Sequence, residues 1–143
     1  MTIRSLLYVS RSRVAMPGGA AVVNAIVQGA VAWNGANGVT GALLFTERHF
    51  AQLLEGPDEA ITELLTRIDA DTRHGNLRVV DDKQVEGRSF GSWSMAYSGP
   101  ARYVDRFVAP LVEPMPGPAE RIAVRQLADL LLEFSAPQTN RVT

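Results

Sequence analysis

Gln52 stands inside an apolar run, Phe50-Ala51-Gln52-Leu53-Leu54, and in a strand it shares a face with Phe50 and Leu54. A buried amide without partners costs on the order of 1–3 kcal/mol. The position therefore demands a polar partner, which is backbone, another side chain, or a polar ligand lying over the strand. Little else in the chain offers chemistry. There are no cysteines, so disulfides, thiolate nucleophiles and cysteine metal sites are all excluded. Two histidines, His49 and His74, are too few for a zinc site without carboxylates. Arg11 and Arg13, followed by Pro17-Gly18-Gly19, have the makings of an anion-cradling loop after a first strand, the feature an acylphosphatase-like hydrolase needs. Asn34 closes a helical segment, either as its terminator or with its side chain turned inward. Trp93 and Met95, two positions apart in a strand pattern, read as core packing.

The elements that position these residues follow from periodicity. Residues 39–45 and 50–54 are apolar at both parities and joined by Thr46-Glu47-Arg48-His49, which predicts a hairpin covered on both faces and therefore central in its sheet. Ahead of it lie a strand over residues 4–10 and a helix over 20–33, whose stripe is Val22, Val23, Ile26, Val27, Ala30 and Trp33. Gly35, Asn37 and Gly38 stop that helix. Beyond the hairpin, Gly56-Pro57-Asp58-Glu59 starts a second helix that runs to about Asp71, with Ile61, Leu64, Leu65 and Ile68 as its stripe. A strand over residues 77–80, a bulge or loop at 85–88 and a strand over 90–97 complete the series.

This order, βαββαββ, predicts a ferredoxin-like α+β sandwich with both helices on one face of a mixed sheet. The tail covers the other face. Residues 103–112 are helix-compatible, Pro114-Met115-Pro116-Gly117-Pro118 breaks them, and residues 119–134 form a helix with Val124, Leu127, Leu131 and Phe134 on one side. Residues 135–143 are expected to fray.

The 143 residues suit one core. A net charge of −1 with 20% charged residues and no long block of one sign carries no basic footprint for nucleic acid, so a small molecule or a protein is the expected partner. No apolar stretch approaches the ~20 residues that span a bilayer. A soluble cytoplasmic protein is expected, with no membrane partner.

Five dispersed stretches in register carry a family resemblance. They are Leu6-Leu7-Tyr8-Val9-Ser10; Asn34-Gly35-Ala36-Asn37-Gly38-Val39-Thr40-Gly41-Ala42-Leu43-Leu44; Phe50-Ala51-Gln52-Leu53-Leu54-Glu55-Gly56-Pro57; Arg67-Ile68-Asp69 with Asp71-Thr72-Arg73-His74; and Phe90-Gly91-Ser92-Trp93-Ser94-Met95. Together they resemble the BLUF family, blue-light sensors using FAD, over about residues 3–98. Residues 1–98 are then the flavin-binding domain, and residues 99–143 a C-terminal helical extension packed on the sheet.

The resemblance implies a noncovalent flavin lying between the two helices on the sheet. It implies that Gln52 bridges Tyr8 to the ring, which gives the amide its missing partner. Tyr8 supplies an electron and a proton to the excited ring and takes them back. An amide suits the bridge because it carries both donor and acceptor. Asn34 matches the asparagine that bonds the flavin carbonyl edge. Trp93 and Met95 match the switch pair on the last strand. Arg67, Asp69, Arg73 and His74 match positions that contact the flavin side chain and phosphates. The first helix has no lysine or arginine, so FMN or riboflavin is expected to bind about as well as FAD. A photoreceptor with no turnover of its own, no fused effector, and a partner protein or homo-oligomer as its output is the reading that results. The alternatives are the acylphosphatase-like hydrolase, a flavin-free ferredoxin-like regulatory or oligomerisation module, and a flavoenzyme, which lacks an acid–base pair near the expected ring edge.

Overall fold

The computed structural model describes residues 2–135 apart from Pro17 and Ala101, with no account of the Arg102 side chain. Its elements are β1 (Ile3–Ser12), α1 (Ala20–Ala36), β2 (Thr40–Phe45), β3 (His49–Gly56), α2 (Asp58–Asp69), β4 (His74–Val85), β5 (Trp93–Ser98), α3 (Arg102–Asp105), a 3₁₀ turn (Ala109–Leu111) and α4 (Gly117–Ser135). The five strands form one sheet in the order β4-β1-β3-β2-β5. All neighbours are antiparallel except β2 and β5, so the sheet is mixed, as the ferredoxin-like reading requires.

The hairpin is central, and every residue of β3 is buried. Alternation then divides the strands between two cores. Leu6, Tyr8, Leu43, Phe45, Phe50, Leu54 and Trp93 pack under α1 and α2. Leu7, Val9, Ala42, Leu44, Ala51 and Leu53 pack under α4 and the segment before it, where Leu127 and Leu131 are fully buried. Each such leucine contributes roughly 1.5–3 kcal/mol of hydrophobic stabilisation, which fastens the C-terminal segment to the sheet.

Polar ties reinforce that attachment. The Thr46 hydroxyl donates to Asp105 Oδ1 (2.6 Å), and His49 Nδ1 meets the same oxygen at 2.8 Å, joining the hairpin turn to α3. Arg78 of β4 donates to the Leu111 carbonyl and to Glu120, both at 2.7 Å.

Several boundaries differ from the expectation. α1 runs three residues past Trp33, and Gly38 rather than Asn37 takes the left-handed conformation, with φ +70°. Asn37 instead donates its side-chain amide to the Trp33 carbonyl (2.8 Å), a cap made by hydrogen bonding rather than by backbone twist. β4 extends through the polar residues 81–84 to Val85, because its pairing with β1 supplies backbone bonds that side-chain hydropathy does not report. Residues 103–112 form a short helix and a 3₁₀ turn linked by i→i+3 backbone bonds rather than one continuous α-helix. Ser135 ends α4, and residues 136–143 lie outside those described.

Gly41 is required by geometry. It has φ +148°, and a Cβ there would overlap the Leu53 carbonyl oxygen of the adjoining strand.

Candidate functional site

The register builds the site before any side chain is considered. Tyr8 of β1 lies opposite Gln52 of β3, Gln52 opposite Leu43 of β2, and Leu43 opposite Met95 of β5. One row across four strands thus carries Tyr8, Gln52 and Met95 on the face beneath α1 and α2. Trp93 enters from the next position along β5, paired with Gly41.

The Gln52 amide is the hub of this row. Its Nε2 donates to the Tyr8 hydroxyl at 2.7 Å, and its Oε1 accepts from Trp93 Nε1 at 2.8 Å. An indole N–H can only donate, so Trp93 fixes which end of the amide faces which partner. Burial pushes the Tyr8 phenol well above its usual range, with the Gln52 hydrogen bond opposing that shift. The phenol stays protonated at physiological pH.

Above the row, between the two helices, is a cavity of about 320 Å³, within the span of small-molecule sites. Tyr8, Leu43, Phe50, Gln52 and Trp93 form its floor. Ile26, Ala30 and Trp33 of α1 face Leu64 and Ile68 of α2 across it. Arg67 is at its mouth, ion-paired with Glu63 (3.3 Å) and set over the Trp33 ring at 5.3 Å.

Asn34 is the decisive side chain. It is 1% exposed in the last turn of α1 and lines the cavity. Neither its Oδ1 nor its Nδ2 has a hydrogen-bond partner among the described residues. Two stranded polar atoms at the wall of an apolar slot match a flat ligand with a donor and an acceptor on adjacent edge atoms.

The exit of α2 is divided. Asp69 is exposed and does not line the cavity, whereas Asp71 does. Arg73 donates to Asp71 through its backbone N–H and its guanidinium, and this holds the Asp71 carboxyl below the usual range. His74 is buried. Its Nε2 bonds the Ile68 carbonyl, which can only accept, so Nε2 carries the proton and Nδ1 accepts from the Ser10 hydroxyl at 2.7 Å in the neutral ring. His74 therefore presents ring carbon to the cavity, its nitrogens being committed within the protein.

Arg11 instead pairs with Glu113 at 3.8 Å, and Arg13 lies against Gly75. Neither lines the cavity, so the described residues do not assemble the anion cradle of a hydrolase; Pro17 of that stretch lies outside them.

Comparison with known proteins decides the family. The sequence profile of the BLUF domain, "Sensors of blue-light using FAD", matches residues 3–96. The chain belongs to the BLUF family. A BLUF domain is a flavin-binding blue-light sensor module, and the orphaned Asn34 amide, the apolar walls and the Tyr8–Gln52 floor fit such a ring. Over 93 residues the chain is 33% identical to photoactivated adenylate cyclase subunit alpha of Euglena gracilis, a match that covers 65% of this chain and 9% of that protein. Among solved structures it resembles the BLUF protein BlrB in its dark state, with TM-score 0.68 and 32% identity over 92% of this chain and 96% of the other. It also resembles BlsA in its ground state, with TM-score 0.73 and 26% identity over 100% of this chain and 95% of the other. No helix among the described residues is long and apolar enough to cross a membrane, and no cluster of metal-ligating side chains occurs among them.

Trp33 and Asp71 are cavity residues that the sequence did not single out as binding residues. Trp33 reads as core in a helical stripe, and only the gap between α1 and α2 turns that stripe into a wall.

Proposed function

We propose that Gln52 is the switch of this blue-light sensor and that Trp93 reports its state. Bound flavin supplies the absorption of blue light and an electron-accepting ring with hydrogen-bonding edges. Asn34 would hold the ring by its carbonyl edge, satisfying the amide atoms that are stranded at the cavity wall. Tyr8 would give up and regain an electron and a proton, its buried phenol keeping that proton until the ring is excited. Arg67, Arg73 and His74 border the cavity and would contact the flavin side chain, with Asp71 rather than Asp69 completing that rim.

The observation that carries the reading is the Tyr8–Gln52–Trp93 chain of hydrogen bonds. Reversal of the Gln52 amide, by rotation or tautomerisation, would turn a hydrogen-bond donor toward the Trp93 N–H. Two donors then face each other, and the indole loses its reason to stay. Trp93 is buried in the present arrangement, while Met95, in the row of Gln52, is partly buried. Exchange of the two would move β5. On the opposite face of that strand, Tyr97 meets Phe134 of α4 with ring centroids 6.0 Å apart, which offers a route to the C-terminal segment.

The division we adopt is a sensor domain over residues 1–98 and an extension over 99–143. The module has no turnover of its own and works in the cytoplasm, its output being a changed contact with a partner protein or within a homo-oligomer. Both arginines at the cavity are already paired with acids, and α1 contributes no cation, so FMN and riboflavin would bind about as well as FAD.

Blue light is the test. Illumination of the flavin-loaded protein should give a small red shift of flavin absorption that decays in the dark, since only hydrogen bonds to the ring have changed. Conversion to a reduced or adduct spectrum would contradict the proposal.

A further inference from the structure

Glu55 is a second polar side chain sealed within β3, 1% exposed, on the face turned away from the cavity. Its carboxylate is fully engaged. Oε1 accepts from the Thr40 hydroxyl and from the Phe90 backbone N–H, both at 3.1 Å, and Oε2 accepts from the Ser89 N–H at 2.7 Å. Arg88 closes the ring of bonds, donating to the Thr40 hydroxyl (2.9 Å), the Glu55 carbonyl (3.1 Å) and the Gly38 carbonyl (2.8 Å). Three consecutive residues, 88–90, are thus clamped to β2 and β3 just before the chain enters β5.

Beyond that clamp the chain is held in the sheet from one side alone. β5 is an edge strand paired only with β2, and its register slips between Leu43 and Leu44. Among the described residues, only the bond from Gly41 N–H to the Ser92 carbonyl (3.2 Å) intervenes between the clamp and Trp93. Six hydrogen bonds make up the clamp, against the single backbone bond ahead of Trp93. The clamp is therefore the firmest tie near the start of the strand.

We propose that Glu55, with Thr40 and Arg88, is the positioning device of the switch: it fixes where β5 begins and so keeps the Trp93 indole at Gln52 Oε1. This rests on the roles proposed for Gln52 and Trp93. Glu55 does not line the cavity, so it acts through Trp93 and is a positioning residue.

The experiment uses the whole flavin-loaded chain. Glu55→Gln preserves shape but sets an amide N–H₂ against one of the backbone N–H groups of Ser89 and Phe90. Arg88→Ala, at an exposed position, opens the ring of bonds from outside and decides the matter alone should Glu55→Gln not fold. Three quantities are read: the indole N–H resonance of Trp93, assigned by its loss in Trp93→Phe, the rate of dark recovery after a blue pulse, and amide exchange at the clamp. Both variants should still form the red-shifted state, with the indole resonance displaced and the recovery rate changed about tenfold, the factor that one charge-assisted hydrogen bond carries. Amide exchange at Ser89 and Phe90 reports whether the clamp has opened. Faster exchange there, with resonance and recovery as in the wild type, would overturn the proposal and leave Glu55 a structural tie. A wild-type protein without a red shift would instead sink the photoreceptor reading, and the indole resonance of the variants would still decide whether the clamp positions Trp93.

Discussion

The two faces of the sheet bury similar side chains to opposite ends. Beneath α4, alternate residues of β1, β2 and β3 meet Leu127, Leu130 and Leu131 in a sealed apolar core, with polar ties at its rim. Beneath α1 and α2, the same strands present Tyr8, Gln52 and Trp93 to a cavity, and Asn34 is left with stranded polar atoms. A protein gains nothing in stability from an unsatisfied buried amide. The open face has traded packing for a ligand, and the closed face supplies the stability that permits the trade.

The largest expected effect comes from the closed face. Leu131→Ala removes a fully buried side chain and should destabilise the fold by about 2–5 kcal/mol, read from the shift in denaturation midpoint. A loss under about 1 kcal/mol would mean that α4 is only lightly held, and the contrast between the faces would fail.

On the open face the sign should reverse. Asn34→Leu fills the same place without stranded polar atoms, so the flavin-free protein should gain roughly 1 kcal/mol. Flavin affinity, measured by titration, should fall at least about tenfold. Equal affinity in the variant would remove Asn34 from the binding site. A loss of stability in the flavin-free state would show that its amide is satisfied in solution.

Smaller still is an alkaline effect confined to Tyr8. Its phenol is raised in the folded state, so the stability tied to it is complete below the unfolded value of about 10 and is lost as pH rises through and beyond that value. The slope is about 1.4 kcal/mol per pH unit while only the unfolded chain ionises. Urea midpoints from pH 9 to 11 should fall more steeply in the wild type than in Tyr8→Phe. Parallel curves would mean that the phenol titrates as though exposed.

Much of this contrast was legible in the sequence. Apolar residues at both parities announced a sheet buried on two faces, and Gln52 in such a strand announced a polar partner. The same argument applies to Glu55, one residue beyond the apolar run, whose burial depends on β3 continuing to Gly56. Asn34 was ambiguous because two asparagines share one helix end; the structure assigns the cap to Asn37 and frees Asn34 to face the cavity. The role of Trp33 depends on how far apart two helices stand, which no periodicity encodes. Asp71 and Asp69 are separated by the turn that ends α2, so their exchange at the rim reflects a boundary that side-chain pattern leaves open by a residue or two.

Gln52→Leu tests the central claim most directly. Leucine keeps the apolar face filled but removes the hydrogen-bond partner of the Tyr8 hydroxyl and of the Trp93 N–H. Asn34 and the helix walls are untouched, so flavin should still bind. Illumination should then give no reversible red shift, because no amide remains between Tyr8 and the ring to reverse its hydrogen bonding. A full, reversible red shift in Gln52→Leu would contradict the account, leaving Gln52 a satisfied core amide and nothing more.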